Sequence, residues 1–170
     1  MNASAQVRIR PARLADHAAL ARLDAAAWTP EAGFPSVMRS AASADGAFFS
    51  AGNPPEAHLV AELDGSIVGY IRLKAPTSLP ENAHVMQVQG LAVGPSARRR
   101  GVASALLTAA EEHLRARGAR KLTLRVLSSN SAAIRLYEQL GFAREGALHQ
   151  EFYINGAYVD DVLMAKYFER

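Results

Sequence analysis

The stretch that most narrows the fold runs from Val85 to Leu127. The run "HVMQVQGLAV" predicts a strand, with Val85, Gln87 and Gln89 on one face up to Gly90, and Pro95 ends it. Ala97 to Arg117 then keeps helical spacing at Val102, Leu106, Ala109, Ala110, His113 and Leu114, and Gly118 stands where a C-terminal cap belongs. "KLTLRVL" returns to alternation, with Leu122, Leu124 and Val126 on one face. A strand, a helix and a strand in that order predict a right-handed crossover between parallel strands. Gly90, isolated inside its strand, marks a bulge or a close approach by another backbone.

The flanking segments complete an α/β chain. "QVRIRP" is a short strand with Val7 and Ile9 on one side, stopped by Pro11. Asp16 is placed to cap a helix through Ala19, Leu20 and Leu23. From Trp28 to Pro55, glycines and prolines break the pattern, with one short helix predicted near Val37 to Ala44; a segment of this kind shapes substrate access or is a plain surface connection. "AHLVAEL" and "SIVGYIRLK" are strands joined at Asp64-Gly65, a two-residue hairpin signature, and Asn155-Gly156 joins two more near the end. Between them Asn130 can cap a helix from Ser131 to Leu140 that Gly141 stops. The order predicts a mixed, mostly antiparallel sheet flanked by helices, in a single domain over residues 1–170.

Composition removes several function classes. The chain has no cysteine, which excludes disulfides, thiol nucleophiles and Cys-type zinc sites. No apolar run approaches the roughly 20 residues of a membrane span, and the N-terminus shows no signal peptide, so a cytoplasmic location is expected. Net charge is +3, with basic residues scattered among acids, which suits an anionic ligand better than DNA.

Two constellations carry chemistry. Arg98, Gly101 and Ala103 form R-x-x-G-x-A between a strand and a helix. A helix start has free N–H groups and partial positive charge, so it receives anions, and the small residues leave room for a diphosphate. Neither G-x-G-x-x-G nor G-x-x-x-x-G-K-[ST] is present, so neither of those nucleotide architectures applies. Asn130 and Tyr137, in "NSAAIRLYEQLGF", stand two helical turns apart on one face with Ala133 between them. An arginine run before a helix also reads as a solvated turn, and an asparagine cap with a core tyrosine is ordinary.

Taken together, the two motifs resemble the GCN5-related N-acetyltransferase (GNAT) family. "LAVGPSARRRGVASALL" is similar to its acetyl-coenzyme A (acetyl-CoA) motif [QR]-x-x-G-x-[GA], and Asn130, Ala133, Tyr137, Gly141 and Phe142 match its N-x-x-A-x-x-x-Y…G-F pattern. The resemblance implies the acyl-CoA N-acyltransferase fold, with a bulged central strand splayed from its neighbour. It implies acetyl-CoA as co-substrate and no metal. Leu91, Ala92 and Val93 would meet the pantetheine arm, and the N–H near Leu91 would polarise the thioester carbonyl. Arg98, Arg99, Arg100, Gly101, Val102, Ala103 and Ser104 would hold the diphosphate, mainly through main-chain amides. Asn130 and Ala133 would lie along the cofactor, and Tyr137 would protonate the leaving thiolate. Direct attack by an amine on the thioester needs no covalent intermediate, which suits a chain without cysteine or a G-x-S-x-G elbow.

The base that deprotonates the amine is left open. Gln87 and Gln89 stand where several family members carry a glutamate, and an amide cannot do that work. Candidates are His84, Glu151, Asp160, Asp161 or a water chain. The terminal hairpin, with Gly156, Tyr158 and Asp160 as G-x-Y-x-D, resembles that of bacterial small-molecule and peptide-amine acetyltransferases, where Tyr153 and Tyr158 would wall the acceptor. A homodimer is common in the family. The competing functions are an acyl-CoA-binding or sensing domain without turnover, and nucleic-acid binding through Arg98 to Arg100, which no aromatic interleaving supports. Neither nucleic acid nor membrane is an expected partner.

Overall fold

A computed structural model describes residues 6–29, 34 and 47–168. The elements are β1 (Arg8–Pro11), α1 (His17–Ala27), β2 (His58–Leu63), β3 (Ser66–Lys74), β4 (Val85–Val93), α2 (Val102–Arg115), β5 (Lys121–Leu127), α3 (Ser131–Gln139), β6 (Ala143–Ile154) and β7 (Ala157–Tyr167). The helix expected near Val37 to Ala44 lies outside the described residues. The strands form a 7-stranded sheet ordered β1-β2-β3-β4-β5-β7-β6. Every neighbouring pair is antiparallel except β4 with β5, which the α2 crossover makes parallel. The mixed, mostly antiparallel α/β architecture with flanking helices is as the sequence predicts.

Local chemistry sets the turns. Asp64 and Gly65 have φ of 51° and 78°, and Asn155 and Gly156 have 50° and 83°, the left-handed pairs that a tight hairpin requires. One side of the sheet packs Leu59, Ala61 and Ile71 against Val102, Leu106, Leu107 and Ala110 of α2 and Ile134 of α3. The other packs Val60, Tyr70 and Ala92 against Leu20, Leu23 and Ala27 of α1. Consecutive residues of β2 and β3 thus enter opposite cores, as in a sheet covered on both faces. Leu106 is fully buried, and a side chain so placed contributes about 1.5–3 kcal/mol.

Gly69 brings α2 close to β3. A Cβ there would stand 3.0 Å from Val102 Cγ1 and from the Ala92 carbonyl oxygen, and 3.2 Å from Leu106 Cδ1. The start of α2, where the anion socket is expected, is seated by this absence of a side chain.

Two expectations at helix starts are corrected. The α2 helix begins at Val102 rather than Ala97, because Pro95–Ala97 forms a separate 3-10 turn and Arg99 and Gly101 take left-handed φ of 60° and 76°. Asp16 precedes α1 but caps none of its N–H groups. Its carboxylate accepts from the Arg13 backbone N–H at 2.7 Å and is gripped by Arg10 at 2.8 and 2.9 Å. The hydrogen bond from Arg10 also holds the Asp16 carboxyl below the usual carboxylate range.

Candidate active site

Strands β4 and β5 share three paired positions, Val85↔Lys121, Met86↔Leu122 and Gln87↔Thr123, and then part. The parting coincides with a bulge. Arg72 of β3 faces Gly90 while Leu73 faces Val88, so Gln89 is the extra residue. Beyond it the β4 edge is bare. The Gly94 N–H bonds the Val68 carbonyl of β3 at 2.8 Å. Antiparallel alternation then turns the Ala92 backbone toward β3 and the Leu91 and Val93 backbones toward the gap. Ala92 also buries its side chain on the α1 face, away from the gap.

The gap is a cavity of about 490 Å³. It is lined by residues 87–91 of β4, residues 124–127 of β5, Asn130, Tyr137, Trp28, Phe34, Phe152 and Asp161. A second hollow of about 310 Å³ lies at the start of α2, lined by Val93, Ala97, Arg98, Arg99, Gly101, Val102, Ala103, Ser104 and Leu136. Arg100 lines neither.

Gly101 precedes α2 with φ 76° and ψ 9°. A Cβ added there meets nothing within 4 Å, so backbone rotation, and not crowding within the protein, selects glycine. The Ala105 N–H bonds the Gly101 carbonyl at 2.9 Å, and no side chain caps the helix. The N–H groups of Val102, Ala103 and Ser104 therefore have no intrahelical acceptor and carry the positive end of the helix dipole. The Arg98 guanidinium is used elsewhere: it donates to the Ala27 carbonyl at the end of α1 at 2.5 Å and to the Val93 carbonyl at 3.4 Å.

On α3, Asn130 is the cap, its Oδ1 accepting from the Ala133 N–H at 3.2 Å. Ala133 is half-buried against the core and does not line the cavity. Tyr137 does, although only 9% exposed, with its ring 5.9 Å from that of Phe142. Burial pushes its phenol up to about 12, so it is neutral and able to donate across ordinary pH. The Tyr137 hydroxyl has no protein partner among the described residues, and it is not one of the sealed unpaired polar atoms.

Of the candidate bases, only Asp161 reaches the cavity, and it is paired with Arg125 through Nε at 2.5 Å and through Nη2. His84 is exposed just before the paired end of β4, its carbonyl accepting from the Arg120 N–H at 2.8 Å. Glu151 is exposed. Asp160 accepts from the Gln150 N–H at 2.8 Å and contacts His149 at 3.1 Å, and the backbone bond first, then the histidine, hold its carboxyl low. Gln87 and Gln89 both line the cavity, joined to each other at 2.5 Å. Tyr153 and Tyr158 contact each other at 5.0 Å between ring centroids and do not line it.

Among the lining residues that sequence reasoning did not place in the site are Trp28, Phe34, Arg125 and Phe152. Arg125 left a trace as a charge inside an apolar strand, and Trp28 and Phe34 fall in the irregular segment for which substrate access is one reading. Trp28 is fixed by a short network in which its indole N–H donates to Asp24 at 2.9 Å and Tyr70 Oη donates to the same oxygen at 2.5 Å. Burial, then the Asp24 charge, raises the Tyr70 phenol far above its ordinary value, so it stays a donor. Among the described residues no three metal-ligating side chains cluster, and no helix is long and apolar enough to cross a membrane.

The acetyltransferase (GNAT) family model matches residues 19–142, spanning β2 to β5 and both motif helices. An N-alpha-acetyltransferase of Sulfurisphaera tokodaii is 37% identical over 119 residues, 64% of this chain and 68% of that protein. A mycothiol acetyltransferase of Sanguibacter keddieii is 38% identical over 87 residues, and the match spans 51% of this chain but only 28% of that protein. In fold, a Salmonella typhimurium structure holding its cofactor acetyl-CoA superposes with a TM-score of 0.73 at 22% identity, over 97% of this chain and 95% of that one. A parted β4–β5 pair, a bare helix start beside it and a family match over most of the chain agree: this protein is a member of the GNAT acetyltransferase family.

Proposed function

We propose that the protein moves an acetyl group from acetyl-CoA directly to a primary amine, that of a small molecule, an amino acid or a peptide, without a covalent enzyme intermediate. The observation that carries this reading is the placement of two hollows along one strand: Gly90 and Leu91 of β4 line the first together with Tyr137, and Val93 lines the second at the uncapped start of α2. A neutral phenol at one end and convergent backbone N–H groups at the other suit a thioester with a diphosphate tail. The names of relatives, an N-alpha-acetyltransferase and a mycothiol acetyltransferase, and the acetyl-CoA in the Salmonella neighbour, support it.

Acetyl-CoA supplies an activated acetyl carbon, whose bond to sulfur breaks as the bond to nitrogen forms. The N–H groups of Val102, Ala103 and Ser104 hold the diphosphate, with Arg99 beside them. Leu91 and Val93 bond the pantetheine amides as a neighbouring strand would, and the N–H at Leu91 polarises the carbonyl. Asn130, whose Oδ1 is used in capping, offers its Nδ2–H. Tyr137 gives its proton to the departing sulfur. Asp161 is committed to Arg125, so the ammonium proton leaves through water beside Gln87 and Gln89. The side chain of Arg98 ties α1 to β4 and contributes to the socket by position only.

Thiol release from acetyl-CoA, followed with amino acids, alkylamines, polyamines and short peptides, tests the reading. Release dependent on one amine class, with the N-acetylated product recovered, is expected. Cofactor binding without release across the panel would instead mark a sensor.

A further inference from the structure

Besides Tyr137 and the β4 edge, the cavity lining includes residues of uneven chemistry. Trp28, Phe34 and Phe152 make an aromatic wall, the last two edge to face at 4.8 Å. The same cavity is lined by Arg125, two positions beyond Thr123, the last β5 residue paired with β4. Its ion pair is lopsided: the Asp161 side chain is 5% exposed and that of Arg125 46%. Both contacts from the guanidinium go to one oxygen of Asp161. The Arg125 Nη1 has no partner among the described residues. A sealed carboxylate thus fixes the guanidinium plane through Nε and Nη2, on a side chain that lines the cavity. Such a fork suits a planar carboxylate and disfavours a polycation.

We infer that the acceptor is a free α-amino acid with an apolar side chain. Its carboxylate lies on Arg125, its side chain on the aromatic wall, and its amine beside Gly90 and Leu91. This inference rests on the acetyl-transfer reading and narrows it. Amine and carboxylate share one carbon, so anchoring the carboxylate also positions the nitrogen. In the reaction the ammonium first gives one proton to water; the nitrogen then bonds the acetyl carbon, the carbon–sulfur bond breaks, the sulfur takes a proton from Tyr137, and the second amine proton, lost as the amide forms, restores the phenol through water. The products are an N-acetylamino acid and coenzyme A.

The test compares L-leucine, L-leucinamide and 3-methylbutylamine, which keep the side chain and replace or delete the carboxylate. Leucine should exceed both others in kcat/KM by at least about tenfold, as loss of one charge-assisted contact implies. Arg125→Gln should collapse that preference by a similar factor, mainly through KM, and Arg125→Lys should restore part of it. Because Arg125→Gln leaves Asp161 buried and unpaired, the double variant R125Q/D161N guards against a folding defect and should show the same collapse. Equal turnover of the amide or the alkylamine, or a preference that survives in both variants, overturns the inference and leaves acetyl transfer standing. If no amine is acetylated, the acetyl-transfer reading fails. The inference, resting on that reading, falls with it, whereas acetylation that ignores the carboxylate overturns the inference alone.

Discussion

On one side of the cleft the chain offers its backbone, and on the other its side chains. The proposed cofactor side is the edge of β4 facing β5 and the first turn of α2, with Tyr137 as its main side-chain contribution. It depends on dihedral angles: the left-handed φ of Gly101, the bulge at Gln89 and the close seat made by Gly69. The proposed acceptor side is Trp28, Phe34, Arg125, Phe152 and Asp161, drawn from distant parts of the chain. A backbone site is hard to retune by substitution, and a side-chain site is easy. One fold can therefore keep its cofactor while its acceptor changes.

Substitutions on the two sides should separate cofactor affinity from acceptor handling. The largest effect is expected at Tyr137, where the two sides meet. Tyr137→Phe should lower kcat by about 10²- to 10⁴-fold, the usual worth of a general acid. Thiol-release kinetics read that loss, and calorimetry should find coenzyme A affinity changed only a few-fold. Next comes Gly101→Val, which places a β-branched residue at φ 76°. It should cost about 1–2 kcal/mol in denaturant unfolding and weaken coenzyme A binding roughly tenfold, with acceptor KM little altered. Tyr70→Phe acts on the other side. It removes one of the two donors that fix Asp24 and so loosens Trp28. About 1 kcal/mol of stability and a several-fold rise in acceptor KM are expected, with coenzyme A affinity unchanged. Arg98→Ala should affect the site least. Its guanidinium holds the Ala27 carbonyl, so melting temperature should fall while coenzyme A affinity moves less than about threefold. A tenfold loss of affinity would return Arg98 to the socket.

The pH profile carries a prediction of no change. Tyr137 keeps its proton up to about 12, above the ordinary tyrosine value of 10.0, because it is buried. A general acid works while protonated, so kcat should not fall between about pH 9 and pH 10.5. A fall with a midpoint near the ordinary value would mean that the phenol is solvated or that another acid acts.

The same contrast explains what could be read in the sequence. The cofactor side needs particular backbone conformations, and these select glycine, small residues and caps at fixed spacing. The left-handed Gly101 and the Asn130 cap were legible for that reason, as were both hairpin turns, whereas the role of Tyr137 came through the resemblance. The two carbonyls that the Arg98 side chain reaches could not be read, because charge next to a socket does not say which acceptor it meets. The acceptor side has no spacing to read. Arg125 and Asp161 meet only because β7 inserts between β5 and β6 and sets Leu127 opposite Asp161. The neighbouring Asp160 turns instead to the β6 bulge at Gln150, and nothing in "YVDDV" distinguishes the two acids.

Direct transfer can be tested in a single turnover, with protein in excess over acetyl-CoA and intact mass followed in parallel with free thiol. The account predicts no thiol until an accepted amine is added, then release of thiol matched by N-acetylated product, with the protein mass unchanged throughout. Thiol release before the amine, accompanied by protein carrying one acetyl group, would contradict it.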